Sequence, residues 1–85
     1  MFDVLTPSHD ADAIWRRALC AHLNRLDAQD LALRFLSRMK PASIDAYCRR
    51  ARPVRLVLFR PDGLLRGCAE LHATGDGCAE IAVSL

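Results

Sequence analysis

The period of the hydrophobic pattern changes once along this 85-residue chain, at Pro53. Before Pro53, apolar residues recur every three to four positions, which is the spacing of one face of an α-helix. After Pro53, apolar and polar residues alternate, which is the pattern of β-strands. Helical segments followed by a run of strands are typical of an α+β fold.

Three helical segments are predicted within residues 7–52. The first is predicted to begin at Pro7, because Thr6 can accept a hydrogen bond from an orphan amide and proline at the first helical position loses no bond. Asp27 can cap a second helix, and Pro41 starts a third. The apolar residues of the first helix form a single stripe: Trp15, Ala18, Leu19, His22, Leu23 and Leu26.

Four strands are predicted, beginning with a short one from Phe2 to Leu5. Val54 to Arg60 and Leu64 to Thr74 flank a turn, and a glycine-containing turn leads into a strand over 78–85, which is apolar enough to be predicted as buried. Because short turns join them, the last three strands should form an antiparallel meander. We therefore expect one domain over residues 1–85, with about three helices packed on a four-stranded antiparallel sheet.

The register of the last hairpin follows from its apolar faces. A one-residue slip turns a strand over, so the apolar residues of both strands share a side only if paired residue numbers sum to an even value. A three-residue loop then sets Thr74 opposite Cys78 and His72 opposite Glu80, with Glu70 on the same face. The local pattern favours an ordinary ion pair between His72 and Glu80. Alternatively, the carboxylate is a general base for an amine.

Charge is distributed unevenly along the chain, although the net charge is only +2. The stretch from Arg16 to Arg66 holds all twelve basic residues and four acidic ones, a net +8, while each end carries −3. The basic run over 49–55 could contact phosphates. However, such a run is usually the solvated end of a helix, and no nucleic-acid-binding motif accompanies it, so nucleic acid is not the expected partner.

Other classes of protein are disfavoured by simple counts. No apolar stretch approaches the roughly 20 residues that cross a bilayer, and the N-terminus lacks a signal-peptide pattern. We therefore expect a cytoplasmic protein with no membrane partner. The four cysteines and three histidines lack zinc-site spacing, so we expect free, buried thiols and no metal.

Three parts of the sequence carry a family resemblance: Val4 to Pro7 leading to Asp10, the segment 26–36, and the segments 66–71 and 79–85. In the order strand, helix, helix, meander, they resemble the N-terminal half of the GNAT family of N-acetyltransferases. The segment 26–36 is most similar to the bacterial protein-lysine acetyltransferase branch. The resemblance implies acetyl transfer from acetyl-coenzyme A (acetyl-CoA) to an amine.

The resemblance also implies roles for individual residues. Glu80, within Ala-Glu-Ile, resembles the general-base glutamate of the histone acetyltransferase branch. The strand end that resembles the pantetheine-binding edge consists of Val83, Ser84 and Leu85. The segment that resembles the acceptor-side wall contains Phe35, Leu36 and Met39.

In the family, a Gln/Arg-x-x-Gly-x-Gly/Ala loop after the fourth strand binds the pyrophosphate of acetyl-CoA. This sequence stops at Leu85, before such a loop. We therefore expect a truncated or split acetyltransferase domain that is inactive alone, or else a non-catalytic dimerisation or interaction module. Because an apolar edge strand templates pairing, the 78–85 edge should bind a second copy or a separately encoded C-terminal half.

Overall fold

A computed structural model describes residues 2–9 and 14–85 of the chain. Within them, three α-helices lie on one face of a four-stranded antiparallel sheet with the strand order β1-β2-β3-β4, which confirms the predicted α+β fold. The elements in chain order are β1 (Phe2–Leu5), a 3-10 helix (Pro7–His9), α1 (Ile14–Arg25), α2 (Ala28–Phe35), α3 (Pro41–Arg50), β2 (Arg55–Phe59), β3 (Gly67–Ala73) and β4 (Ala79–Ser84).

Two of the three helices begin where their capping residues predict. The Asp27 side chain accepts a hydrogen bond of 2.8 Å from a backbone N–H in the first turn of α2. Pro41 occupies the first turn of α3. At Pro7 the chain forms a 3-10 helix instead of the predicted α-helix. The next part of that prediction, residues 10–13, lies outside the described residues, and α1 is described from Ile14 onward.

The core lies between the helices and the inward face of the sheet. The predicted stripe of α1 faces this core, and α1 packs against α3. Because a chain of this length buries a small core, each buried side chain carries a large share of the stability. The buried apolar residues are Trp15, Leu19, Leu23, Leu31, Ile44, Cys48, Ala51, Leu56, Leu58 and Cys68.

All four cysteines are free, as predicted. Cys48 and Cys68 are buried, whereas Cys78 is exposed, so burial was predicted correctly for only part of the set. Burial raises the pKa of Cys68 to about 12, and burial together with a hydrogen bond to Cys20 does the same for Cys48. At neutral pH these two groups are thiols that pack as small apolar side chains. Among the described residues, no helix combines the length and hydrophobicity needed to cross a membrane.

The loop between β2 and β3 is longer than the sequence predicted. Its Asp62 carboxylate accepts a hydrogen bond of 3.2 Å from the Leu64 backbone N–H and forms an ion pair of 2.7 Å with Arg66. The Arg66 backbone N–H donates to the Phe59 carbonyl at 2.8 Å, which closes the loop. These local bonds compete with strand pairing, so β3 begins at Gly67 instead of Leu64.

The last hairpin has the predicted register. His72 pairs with Glu80, and the Thr74 backbone N–H donates to the Cys78 carbonyl at 3.1 Å. The turn requires a positive backbone φ, which Gly75 supplies at 89°. The apolar residues of β3 and β4 therefore share one side of the sheet.

The predicted burial of the strand over 78–85 is wrong. Ile81 is 71% exposed and Val83 is 56% exposed. The inward face is set by β2, in which Leu56 and Leu58 point towards the helices. Strand pairing transmits this alternation through β3 to β4, so the apolar residues of β4 point away from the helices.

Candidate functional site

One face of the sheet is apolar and covered by none of the described residues. We call it the open face. Its exposed members include Phe2 at 64%, Val4 at 65% and Ile81 at 71%. By register, and with Leu85 following β4, the open face comprises Phe2, Val4, Arg55, Val57, Phe59, Gly67, Ala69, Leu71, Ala73, Ala79, Ile81, Val83 and Leu85. Arg55 is the one charged residue in this set, and contiguous apolar surface of this kind marks a contact site.

A depression of about 250 Å³ lies in the open face. The Phe2 and Phe59 rings, 5.0 Å apart, form one side of it, and Val83 and Leu85 form another. Gly67 lies at its base, where an added Cβ would be 2.8 Å from Leu85 Cδ2 and would displace the Leu85 side chain. The depression is suited to an apolar side chain from a binding partner.

The predicted pantetheine-binding residues do not share one face of the sheet, and their role stays a prediction. Val83 and Leu85 border the open face, whereas Ser84 points inward and is buried. In the sheet, β4 is a terminal strand, and its outer backbone edge pairs with no described strand. The edge itself is therefore available, as the sequence predicted, although its side chains divide between two faces.

On the helix-covered face, a polar cluster surrounds the fully buried Glu70, and we call it the Glu70 cluster. Arg34 donates to Glu70 Oε2 from Nη2 at 2.8 Å and from Nε at 3.3 Å. The Tyr47 hydroxyl donates to Oε1, and His72 Nε2 lies 3.1 Å from the same oxygen. Arg34 Nη2 also donates to the Tyr47 hydroxyl at 2.7 Å. Both carboxylate oxygens thus have partners, which a buried charge requires.

The electrostatics of the Glu70 cluster shift the pKa values of two of its members, Tyr47 and Arg34. Burial, together with the hydrogen bond to Glu70, raises the pKa of Tyr47 well above its ordinary value. Burial alone would lower the pKa of Arg34, but the hydrogen bond and charge of Glu70 outweigh it, so this pKa is raised. At neutral pH Tyr47 is therefore a hydrogen-bond donor and Arg34 is a cation. This arrangement holds α2 and α3 against β3.

The predicted ion pair between His72 and Glu80 does not form. Although the two residues are opposite in register, His72 binds Glu70 instead. Glu80 is exposed and makes no side-chain hydrogen bond or ion pair with the described residues. Its assignment as a general base stays a prediction. Sequence reasoning placed Glu70 on the same face as His72 but missed that this face is the inward one.

The predicted acceptor wall is also divided. The Phe35 ring packs edge-on against Tyr47 at 5.0 Å, and Met39 packs against the core. Leu36 is 88% exposed and ends α2 with a backbone φ of 57°. A left-handed conformation is unfavourable for leucine, and such strain is often stored at functional positions. Their role towards an acceptor stays a prediction.

A second buried polar contact joins α1 to β4. His22 Nε2 lies 2.9 Å from Ser84 Oγ, and both side chains are buried. Burial is the main cause of the lowered pKa of His22, and the charge of Arg25 adds to it. The imidazole is therefore neutral at physiological pH, and it binds the end of β4 to the helical layer.

This contact predicts how stability depends on pH. Because the pKa of His22 is lower in the folded state, the unfolded chain binds more protons once the pH falls below about 6.5. The free energy of unfolding should therefore fall as the pH drops from about 7.5 to about 5.5, and it should fall less in His22→Gln. Urea unfolding of both proteins at several pH values measures this difference. Identical pH profiles would contradict the assignment.

Comparisons with known proteins gave no match. No family model, no curated protein and no solved structure matches the chain. Among the described residues, no group of three His, Cys, Asp or Glu side chains could hold a metal ion. Function is therefore inferred from the surfaces and side chains of the chain itself.

Proposed function

We propose that this protein is an assembly module whose open face binds the open face of a second copy. The observation that carries this proposal is the exposure of an almost uncharged sheet face, which includes Val4 at 65% and Ile81 at 71%. Removing such surface from water is favourable by about 25 cal/mol per Å². Two sheets would then stack about 10 Å apart, with the helices of both copies outside.

The size of the open face supports a modest affinity. Four strands about 4.8 Å apart and about six residues long cover roughly 400 Å². Two stacked faces bury about 800 Å², without the extra area of protruding side chains, which is below the range of stable interfaces and typical of weak, transient ones. We therefore expect a dissociation constant in the micromolar range.

The charge distribution favours a second copy over a different partner. In a two-fold symmetric dimer each patch meets itself, so a patch of like charges would repel, whereas an apolar patch is self-complementary. Arg55 is the single charge on the open face, at the start of β2. The cations of α1 and α3 lie in the helical layer, on the other side of the sheet. Stacking two open faces therefore keeps most of the positive charge of the two copies apart.

Dimerisation is directly measurable. Sedimentation equilibrium over a concentration range from about 1 μM to about 1 mM should show a monomer–dimer equilibrium that changes little with salt, because apolar burial carries it. A protein that is monomeric throughout this range would contradict the proposal. A dimer that dissociates steeply as salt is raised would point to a polar interface and also contradict it.

Acetyl transfer is the other function that the sequence resemblance implies, and it stays a prediction. Its candidate base, Glu80, is exposed, and the inward carboxylate of Glu70 is fully engaged by Arg34 and Tyr47. These contacts leave no buried, unpaired carboxylate among the described residues to accept a proton from an amine. The geometry of the described residues thus supports assembly better than catalysis.

A further inference from the structure

A second cavity lies where α1, the segment between α3 and β2, and the start of β2 meet. Its volume is about 530 Å³, roughly twice that of the depression on the open face. Three arginines line it, Arg16, Arg52 and Arg55, and no acidic residue does so among the described residues. We call this cavity the arginine pocket. Its volume falls within the range of small-molecule sites.

Arg16 is held in place at one wall of the arginine pocket. It is half-buried, and its Nη1 donates to the carbonyl of Cys48 while Nη2 lies 3.3 Å from the carbonyl of Ala51. Its guanidinium carbon also lies 4.4 Å from the centre of the Trp15 ring. A guanidinium carries five N–H donors, so these contacts fix its position without using all of them.

Arg52 and Arg55 line the same cavity from the segment between α3 and β2. Arg52 Nη1 donates to the carbonyls of Arg49 and Ala51 at 2.9 and 2.8 Å. Arg55 Nη1 donates to the carbonyl of Val54 at 2.8 Å. Both guanidiniums are anchored by one nitrogen, and the N–H groups of the others remain available to a ligand.

The charge of these three arginines is not neutralised within the described residues. Elsewhere in the chain, Arg60 pairs with Asp3, and Arg66 pairs with Asp62. Arg16, Arg52 and Arg55 have no such carboxylate partner among residues 2–9 and 14–85. Capping of the last carbonyls of α3 accounts for the placement of Arg16 and Arg52. Capping does not account for Arg55, which binds the carbonyl of its own neighbour at the start of β2.

We infer that the arginine pocket binds a phosphate group of a small molecule, with pyrophosphate-type ligands preferred. Arginine matches phosphate because its planar N–H groups can donate in pairs to the oxygens of the anion. A ligand with two linked phosphates can contact more than one of the three guanidiniums. Trp15 is only 4% exposed, so a stacked nucleobase is not part of the site. Arg16 and Arg52 line the pocket from the helical side, whereas Arg55, at the start of β2, also borders the open face. The inference requires pyrophosphate binding by the monomer, so it does not depend on dimerisation.

The test is a calorimetric titration at low ionic strength with inorganic phosphate and pyrophosphate as probes. We expect saturable binding of both, with pyrophosphate the tighter. Arg55→Gln should weaken pyrophosphate binding about fivefold, which is the size expected for one partly exposed charged contact. Arg38→Gln is the matched control, since it removes the same charge from an exposed position outside the pocket.

Arg16→Gln and Arg52→Gln are informative only if circular dichroism and thermal melts show that they fold, because both residues also bind carbonyls at the end of α3. Arg55→Gln avoids this problem. If Arg55→Gln and Arg38→Gln weakened pyrophosphate binding equally, the effect would come from the overall charge of the protein, and the proposal would be overturned. The absence of saturation by pyrophosphate below about 10 mM would overturn it as well.

A third titration, with a short single-stranded RNA, separates two sources of phosphate. Competition between pyrophosphate and RNA at the same site, together with tighter binding of pyrophosphate, supports a small-molecule pocket. Binding of RNA that pyrophosphate does not displace, with a salt dependence typical of counterion release, would assign the basic surface to nucleic acid and overturn the inference.

Discussion

Replacing Glu70 with leucine should lower the free energy of unfolding by about 3–5 kcal/mol, because the Arg34 guanidinium would stay buried without its carboxylate. The side chain of Arg34 is 10% exposed and that of Glu70 is 0% exposed, so water cannot take the place of the lost partner. A domain of this size has a total stability of about 5–15 kcal/mol, so Glu70→Leu should lose a large fraction of it and unfold at a clearly lower temperature and urea concentration. Thermal and urea unfolding followed by circular dichroism measure the loss.

The double variant Glu70→Leu with Arg34→Met provides the matched comparison. Because both buried charges are removed together, its stability should return to within about 1–2 kcal/mol of the wild type. Tyr47→Phe, which removes the hydrogen bonds of the hydroxyl to Glu70 and from Arg34 but keeps the ion pair, should lower the free energy of unfolding by about 1–3 kcal/mol. A double variant as unstable as Glu70→Leu alone would show that the leucine side chain, and not the unpaired arginine, causes the loss.

Replacing Ile81 with lysine should abolish dimerisation. In the proposed dimer this substitution buries an unpaired ammonium group between two apolar sheets, which costs several kcal/mol and raises the dissociation constant more than about 100-fold. In the monomer Ile81 is 71% exposed, so the free energy of unfolding should change by about 0.5 kcal/mol or less. Sedimentation equilibrium and urea unfolding report these two effects separately.

Two further variants identify which part of the sheet is in contact. Ile14→Lys is the matched control, because Ile14 lies on α1, away from the open face and from β4, and is 54% exposed. It should leave the dimer intact. Val4→Lys, on β1 at the far side of the open face, should disrupt the dimer if the faces stack. A dimer that is sensitive to Ile81→Lys but not to Val4→Lys would instead be joined through the outer edge of β4, as the sequence first predicted.

Much of the fold could be predicted from local sequence patterns. The stripe on α1, the cap at Asp27 and the proline at position 41 are local in sequence, and each determines a helix independently of the rest. The register of the last hairpin could also be predicted, because its turn length and its alternation of apolar residues give the same strand pairing. The length of the loop before Gly67 could not be predicted, since it depends on side-chain bonds of Asp62 that a turn pattern does not reveal.

The candidate sites were harder to predict from the sequence, because they join distant parts of the chain. Glu70 meets Arg34 and Tyr47 only after α2 and α3 pack on β3. Likewise, the arginine pocket combines Arg16 of α1 with Arg55 of β2. The sequence marked the basic run over 49–55 but contained no signal that a residue of the first helix would complete a pocket with it.

The sequence by itself determined that the apolar residues of β3 and β4 share one side of the sheet. It did not determine which side the helices cover, because both sides of β2 are apolar, with Leu56 and Leu58 on one and Val57 and Phe59 on the other. Only the tertiary structure decided this: the helices pack on Leu56 and Leu58, and strand pairing then turns Glu70 inward and Ile81 outward. The open face and the buried ion pair both follow from this packing, because strand pairing fixes which side chains of β3 and β4 face the helices once β2 is oriented.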